Sequence, residues 1–383
     1  MSPRNGQERA AKRAESSLMQ ITIEHVDDLA RGAAILGTGG GGDPYLGSLM
    51  LRQALQDGNT VELIDVESLD DEAFVTPFWM MGAPTVIVEK IPNGAEMMAA
   101  LRTMERYVGK KAEALLCAEI GGINALLPLV LAARCGLPVV DGDGMGRAFP
   151  QLQMTTYHIF GVPAGPMVMA DEYSNTVLID SAQATEVERL GRNMVVAMGG
   201  STSICLYPMS GRDAKRSLVR ETLSLALGLG RAVREARGAS GDVFVALLAY
   251  LRGTQYYKHC RVLFEGKTVD LLRETTAGLA MGKVVIEGVG SCLGRRLTVQ
   301  FQNEHLVARD GERVLAIVPD LIAILDAATA EPITTEGLKY GQRVAVLGVS
   351  AAPIMRTPKA LEVFGPQAFG LADPFVPVEQ LWS

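Results

Sequence analysis

A chain of 383 residues with 48% apolar and 21% charged side chains has ordinary globular composition and room for two to three domains, which excludes a largely disordered protein and any need for disulfide or metal staples. Its net charge of −7, from 36 basic and 43 acidic residues with no long basic run, argues against tight nucleic-acid binding. Mean hydropathy is positive, yet no uncharged apolar stretch reaches about 18 residues, so no membrane span is expected; five scattered cysteines without a CxxC pair suit a reducing cytoplasm.

Residues 1–17 set Arg4, Arg9, Lys12 and Arg13 against Glu8 and Glu15 without an apolar segment, so they read as a frayed, solvated tail and not as a secretory signal. From residue 24 to 36, Val26, Leu29, Ala33 and Leu36 recur at helical spacing. Gly37 and the run Gly39, Gly40, Gly41 and Gly42 stop that helix. Asp43-Pro44 then supplies an N-cap and a first-turn proline for a second helix, with Leu46, Leu49, Met50 and Leu55 as its buried face and Gly58 as its end. Short β-branched or apolar runs at 61–66, 74–81 and 85–88 predict strands, and 94–107 a helix. A strand at 114–118, a helix at 123–133 and a strand at 138–140 follow. Strands alternating with helices imply a layered α/β domain with a partly parallel sheet over residues 18–182.

The pattern changes beyond residue 183. Residues 212–236 read as a long helix or a pair of helices. Leu297, Val299 and Phe301 then alternate with Thr298, Gln300 and Gln302, the period of a strand with one wet face. Asp310-Gly311 is a hairpin turn signal between Leu306-Val307 and the run 314–318, and 344–349 is one more buried strand. Residues 183–375 therefore predict an α+β, β-rich C-terminal domain: helices first, then a mostly antiparallel sheet or small barrel. The boundary near residue 180 is soft.

Three segments could carry chemistry. The first is Gly37-Thr38-Gly39-Gly40-Gly41-Gly42-Asp43-Pro44. Successive glycines let a ligand come close and turn N–H groups inward ahead of a helix N-terminus, a cradle for a carboxylate or phosphate. No Lys-Ser/Thr follows, so this is not a P-loop, and the helix before it argues against a dinucleotide fingerprint. The competing explanation is a helix-to-helix turn capped by Asp43. One glycine suffices for a turn, however, and ordering four costs roughly 1 kcal/mol each, which favours a ligand.

The second is Asp141-Gly142-Asp143-Gly144-Met145-Gly146-Arg147, directly after the strand at 138–140, where ligands gather in α/β sheets. Met145 and Leu152 fall at calcium-ligand positions of an EF-hand loop and rule that loop out. The alternative is an Asp/Gly turn whose carboxylates cap neighbouring N–H groups. The third is the strand end leading to Glu119 and Asn124, which share the rim with the aspartates if the sheet is parallel; Glu119 is either a rim acid or a helix N-terminal charge. His158, after Thr155, Thr156 and Tyr157, is either an acid/base or a packed histidine. His259, Cys260 and Cys205 match no common metal spacing, so no cofactor is expected and zinc is the outside alternative. Ser201 lies in a Gly-Gly-Ser-Thr-Ser turn that lacks the last glycine of G-x-S-x-G, and reads as an anion contact or turn residue.

The segments AILGTGGGGDPYL (34–46), DGDGMGRAFPQLQMTT (141–156), 197–203, VPDLI (318–322), PITT (332–335) and Arg356-Thr357-Pro358 resemble a bacterial family long described as a domain of unknown function and named after S-methyl thiohydantoin desulfurase. The resemblance runs from near residue 18 to near 375. It implies hydrolysis of an S-methylated thiohydantoin ring, releasing methanethiol and leaving a hydantoin, and similarity in context to hydantoinase/oxoprolinase-type proteins. The residues themselves suggest how. One of Asp141 and Asp143 acts as general base, the other or His158 protonates a ring nitrogen, and Glu119 is a further acid. Arg147 and the N–H groups of Gly39, Gly40, Gly41 and Gly42 hold a substrate carboxylate or ring oxygen, with Asp43, Asn124, Thr155 and Ser201 as further substrate contacts. The alternatives are a metal-dependent cyclic amidohydrolase and a non-catalytic partner subunit of a hydantoinase-like enzyme. The expected partners are a small-molecule substrate and further copies of the chain, in the cytoplasm.

Overall fold

The structure is a computed structural model that describes residues 17–82, 86, 90, 94–276 and 279–382. The tail expected over 1–17 lies outside the described residues except for Ser17, which opens a strand. The strand expected at 85–88 lies outside them except for Val86.

The chain begins β1 (Ser17–Ile21), α1 (Val26–Leu36), α2 (Pro44–Ala54), β2 (Val61–Ile64) and β3 (Phe74–Gly82). The predicted face of α1 is buried throughout. Asp43 caps α2 as expected, accepting from the Tyr45 N–H at 2.8 Å. That helix stops at Ala54, short of Gly58, and the chain takes a 3₁₀ turn over Gln56–Gly58. Leu49 faces solvent, and Leu51 takes the buried place beside Leu46 and Met50. Next come α3 (Ala95–Val108), β4 (Ala114–Cys117), α4 (Leu127–Cys135) and β5 (Val139–Asp143). The helix expected at 123–133 starts as a 3₁₀ turn, and the α-helix proper begins beside Pro128, whose missing N–H costs nothing in a first turn. After β6 (Met167–Ala170), β7 (Thr176–Ile179), α5 (Ala184–Ala197), β8 (Ser201–Cys205), β9 (Met209–Ser210) and β10 (Val219–Arg220), two helices close this part, α6 (Thr222–Gly238) and α7 (Val243–Arg252).

These strands form one mixed sheet in the order β1-β2-β5-β4-β3-β8-β6-β7, with β9 on β3 and β10 on β5. The pairs β2/β5, β5/β4 and β4/β3 are parallel, as crossover helices require. The sheet draws β8, β9 and β10 from beyond residue 183, so the first layer is completed by chain that follows the expected boundary. The remaining strands, β11 (Cys260–Thr276), β12 (Leu279–Gly288), β13 (Arg296–Gln302), β14 (Glu304–Asp310), β15 (Arg313–Ile317), β16 (Leu321–Asp326) and β17 (Arg343–Val349), make an antiparallel sheet in the order β15-β14-β13-β12-β11-β17-β16. It curls until β16 contacts β14 and β15. Leu297, Val299 and Phe301 of β13 point into its core while Thr298, Gln300 and Gln302 stay wetter, and Gly311 turns the β14–β15 hairpin at φ 59°. The fold is thus an α/β N-terminal domain with a partly parallel sheet, joined to a β-rich C-terminal domain. Among the described residues no helix is long and apolar enough to cross a membrane.

Candidate functional site

The two domains meet on the glycine run. The Thr38 carbonyl accepts from the His305 N–H at 2.8 Å, and the Gly39 carbonyl accepts from the Thr335 N–H at 2.9 Å. Thr335 Oγ1 donates to the Asn303 carbonyl at 2.8 Å, so the PITT segment and the β13–β14 turn dock on the loop together. Each glycine of the run admits a particular neighbour. A Cβ on Gly39 would lie 2.6 Å from the His305 ring, one on Gly40 2.0 Å from Glu304 Oε1, one on Gly41 2.4 Å from the Gly121 backbone and one on Gly42 2.7 Å from Ile123. The loop is glycine-rich because the chain itself packs against it, a physical reason that sequence inspection credits to a ligand. Among the described residues, no hydrogen bond occupies the N–H groups of Gly41 and Gly42, and both residues line a cleft.

That cleft is open to solvent and has a cavity volume of about 70 Å³. Its walls are Gly40, Gly41 and Gly42, the end of β3 (Trp79, Met80, Met81), Glu119, Ile123 and Asn124 after β4, the segment from Phe149 to Leu152, Arg192 of α5, and Asn303, Glu304 and Glu336 from the C-terminal domain. The exposed lining is more polar than apolar, with glycine amides and the carboxyls of Glu119, Glu304 and Glu336 set among Trp79, Met80 and Phe149.

Glu119 is buried just beyond β4. Asn124 Nδ2 donates to its Oε1 at 2.5 Å and the Phe149 N–H to its Oε2 at 3.3 Å, while Asn124 Oδ1 accepts from the Met80 N–H at 2.9 Å. Burial outweighs these bonds and raises its pKa to about 7. Glu304 is also buried. Its Oε1 lies on Gly40, and its Oε2 has no partner among the described residues. Burial first, and the Glu119 charge second, push Glu304 well above the carboxylate range, with Arg147 pulling the other way. Glu336, whose Oε2 lies 3.2 Å from Thr335 Oγ1, is raised by burial as well. His305 donates from Nδ1 to the Ile322 carbonyl at 2.9 Å, which leaves Nε2 as the unprotonated nitrogen; burial lowers its pKa to about 4.

Profiles described as the S-Me-THD-like N-terminal domain and the S-Me-THD-like C-terminal domain match residues 24–181 and 182–378. The chain belongs to the S-Me-THD-like family. Among solved structures, a crystal structure of a protein from Chromobacterium violaceum is similar to this family member over 94% of this chain and 100% of that one, with a TM-score of 0.80 and 28% identity. No curated protein matches the chain.

The residues predicted from sequence fall into two groups. Gly40, Gly41, Gly42, Glu119 and Asn124 line the cleft together. Asp141 and Asp143 do not. The expected loop after residue 140 is strand, because β10 pairs with β5 at Asp143 and Gly142. Asp141 sits under the start of α6, accepting from the N–H groups of Leu223 and Ser224 at 3.0 and 3.1 Å and from Ser224 Oγ at 2.5 Å. Asp143 accepts from the Met145 and Gly146 N–H groups at 3.0 and 2.8 Å, and burial raises its pKa to about 7. The aspartate pair therefore does not face the glycine corner; Glu119 and Glu304 do.

Arg147 is buried in the domain junction, donating to the carbonyls of Ala148, Pro319, Asp320 and His305 and to Thr38 Oγ1. It braces the loop and does not line the cleft. Asp43 is occupied as the α2 cap. Thr155 accepts from the His158 N–H, and burial lowers the pKa of His158; neither lines the cleft. Ser201 of β8 pairs with Gly82 of β3 and opens on a separate small pocket with Glu96 and Ser203. Cys260 Sγ donates to the Leu248 carbonyl while Cys205 is buried in β8, and among the described residues no three His, Cys, Asp or Glu side chains group to hold a metal. Sequence reading missed Glu304, Glu336 and Arg192. For Glu304 no local signal stands out, because its strand also carries His305, Arg309 and Asp310; for Glu336 the signal was proximity to PITT.

Proposed function

We propose that the cleft hydrolyses the carbon–sulfur bond of a five-membered, S-alkyl thiohydantoin-like ring, releasing a thiol. The observation that carries this reading is a pair of buried carboxyls, Glu119 and Glu304, lining one cleft beside the Gly41 and Gly42 N–H groups: burial raises Glu119 to about 7, and burial together with the Glu119 charge pushes Glu304 well above the carboxylate range. Such a pair can supply a base and an acid at the same pH.

Glu119 takes a proton from water as the water oxygen bonds to the ring carbon that bears sulfur. Glu304 gives its proton to the adjoining ring nitrogen, so the C=N double bond becomes C–NH. The tetrahedral carbon then forms C=O and breaks its bond to sulfur. The hydroxyl proton returns to Glu304, and the thiolate leaves with the proton held by Glu119. The free N–H groups of Gly41 and Gly42 are donors for the ring oxygen or for developing negative charge. Asn124 orients Glu119, and Trp79, Met80 and Phe149 shield the ring from bulk water.

The test is thiol release from an S-methyl thiohydantoin. Glu119→Gln and Glu304→Gln are each expected to lose about 10²-fold or more in rate, the usual scale for removing an acid or base, with folding retained. Full turnover in both variants, or no turnover by the wild type on any S-alkyl thiohydantoin, would overturn the reading.

A further inference from the structure

Away from the cleft, α7 has the sequence VFVALLAYLR, apolar or tyrosine at every position but the last. A helix that is apolar all round is expected to be covered all round. Val243, Leu247 and Leu251 are buried, and α7 packs on α6 and β11. Elsewhere on the helix, Val245 is 63% exposed and Ala249 is exposed as well.

These two residues belong to a row with charged ends. Asp242, Val245, Ala249 and Arg252 follow one another at intervals of three, four and three, which keeps them on one helix face, and all four are exposed. Asp242 stands at the N-terminal end, where its Oδ1 caps α7 by accepting from the Phe244 and Val245 N–H groups at 2.9 and 3.1 Å. Its Oδ2 has no partner among the described residues. Arg252 stands at the C-terminal end. Its charge acts on the Cys260 thiol, and it forms no ion pair among the described residues. The row runs onto a hollow of about 640 Å³ lined by Ala249, Tyr250, Gly253 and Tyr256, so the uncovered surface is wider than the helix.

We infer that this face binds a second copy of the chain, with the two α7 helices packed antiparallel across a twofold axis. The row is complementary to itself only in that direction. Antiparallel packing sets Asp242 of each copy against Arg252 of the other and Val245 against Ala249, so both ends gain an ion pair around an apolar middle. Parallel packing would set Asp242 against Asp242 and Arg252 against Arg252. A ten-residue helix is about 15 Å long, and its face covers less than the roughly 800 Å² per partner of a standard interface. A reversible dimer with a micromolar dissociation constant is therefore expected. The inference is independent of the cleft chemistry, because α7 does not line the cleft.

Sedimentation equilibrium of the full chain tests this, with circular dichroism to confirm folding. Val245→Glu and Arg252→Glu, both at exposed positions, should each weaken the dimer about tenfold or more, the first by setting an acid in the apolar middle and the second by facing Asp242. Asp242→Lys should do the same by facing Arg252. Mixing Arg252→Glu with Asp242→Lys should restore association to within about threefold of wild type, since both charge pairs across that heterodimer are again complementary. Loss of the helix cap in Asp242→Lys cannot produce such a recovery, and if that variant does not fold, the other two decide alone. A wild type that stays monomeric up to about 100 μM overturns the inference. So does an assembly unchanged by Val245→Glu and Arg252→Glu, or a mixture of the two folded charge variants that does not recombine.

Discussion

Gly40 offers the cleanest perturbation of the site. Unlike Gly39, Gly41 and Gly42, it has a φ that any residue can adopt, so alanine there brings no backbone strain. The cost is overlap alone: the new Cβ would stand 2.0 Å from Glu304 Oε1, 2.5 Å from Cδ and 2.6 Å from Cγ, where ordinary contact begins at 3.4 Å. The Glu304 carboxyl must retreat by about 1.4 Å. Overpacking of this kind costs about 1–3 kcal/mol, and a reacting group misplaced by about 1 Å can cost about 10²-fold in rate. Gly40→Ala is therefore expected to lose about 1–3 kcal/mol in urea unfolding and about 10²-fold in thiol release. In a Glu304→Ala background the overlap is gone, so adding Gly40→Ala should cost little further stability, giving a coupling of about 1–3 kcal/mol in the double-mutant cycle. Additive stability losses, or wild-type activity in Gly40→Ala, would refute the contact on which this reasoning stands.

Three further predictions follow from individual residues. Asn124→Ala removes a hydrogen bond that favours ionised Glu119, so the acidic limb of the rate profile should move to higher pH, by about one unit; an unmoved limb would separate Asn124 from the base. Asp141→Ala should cost about 1–2 kcal/mol, the scale of a lost helix cap, with turnover per folded molecule unchanged; a large loss of turnover in folded protein would return Asp141 to the chemistry. Asp143 stays protonated in the folded chain up to about pH 7 but ionises above about pH 4 when unfolded. Its folded pKa is raised, so its contribution is present at low pH and lost as pH rises through that window. Asp143→Asn should accordingly gain stability relative to wild type between pH 4 and 7, by up to about 1.4 kcal/mol per unit; equal slopes for the two proteins would contradict the burial argument.

What the sequence reveals here is local. The α1–glycine–α2 corner is readable because Leu36, Asp43 and Pro44 mark a stop, a cap and a start within a few residues. Glu119 and Asn124 are readable because the chain turns onto the rim directly after β4. The alternation at Leu297, Val299 and Phe301 shows β13 without any help from tertiary structure. Asp141 and Asp143 mislead for a long-range reason: two glycines look like a loop, and only β10, contributed far downstream, pairs that segment into the sheet. Glu304 is hidden for the same reason. Nothing near it in sequence says that the β13–β14 turn, with Asn303 at φ 57°, docks on Gly39 and Gly40. Arg147 looks like an anion binder in a glycine-rich stretch, but the carbonyls that consume its donors come from Pro319, Asp320 and His305.

The pH dependence of kcat/KM for thiol release from an S-methyl thiohydantoin tests the glutamate pair most directly, because it reports the free protein's essential base and acid. A bell is expected, with activity rising through about pH 7 as Glu119 ionises and falling at higher pH as Glu304 loses its proton. Glu119→Gln should lack the rising limb, and Glu304→Gln the falling one. A profile flat across this range, or a rising limb near pH 7 that persists in Glu119→Gln, would contradict the assignment.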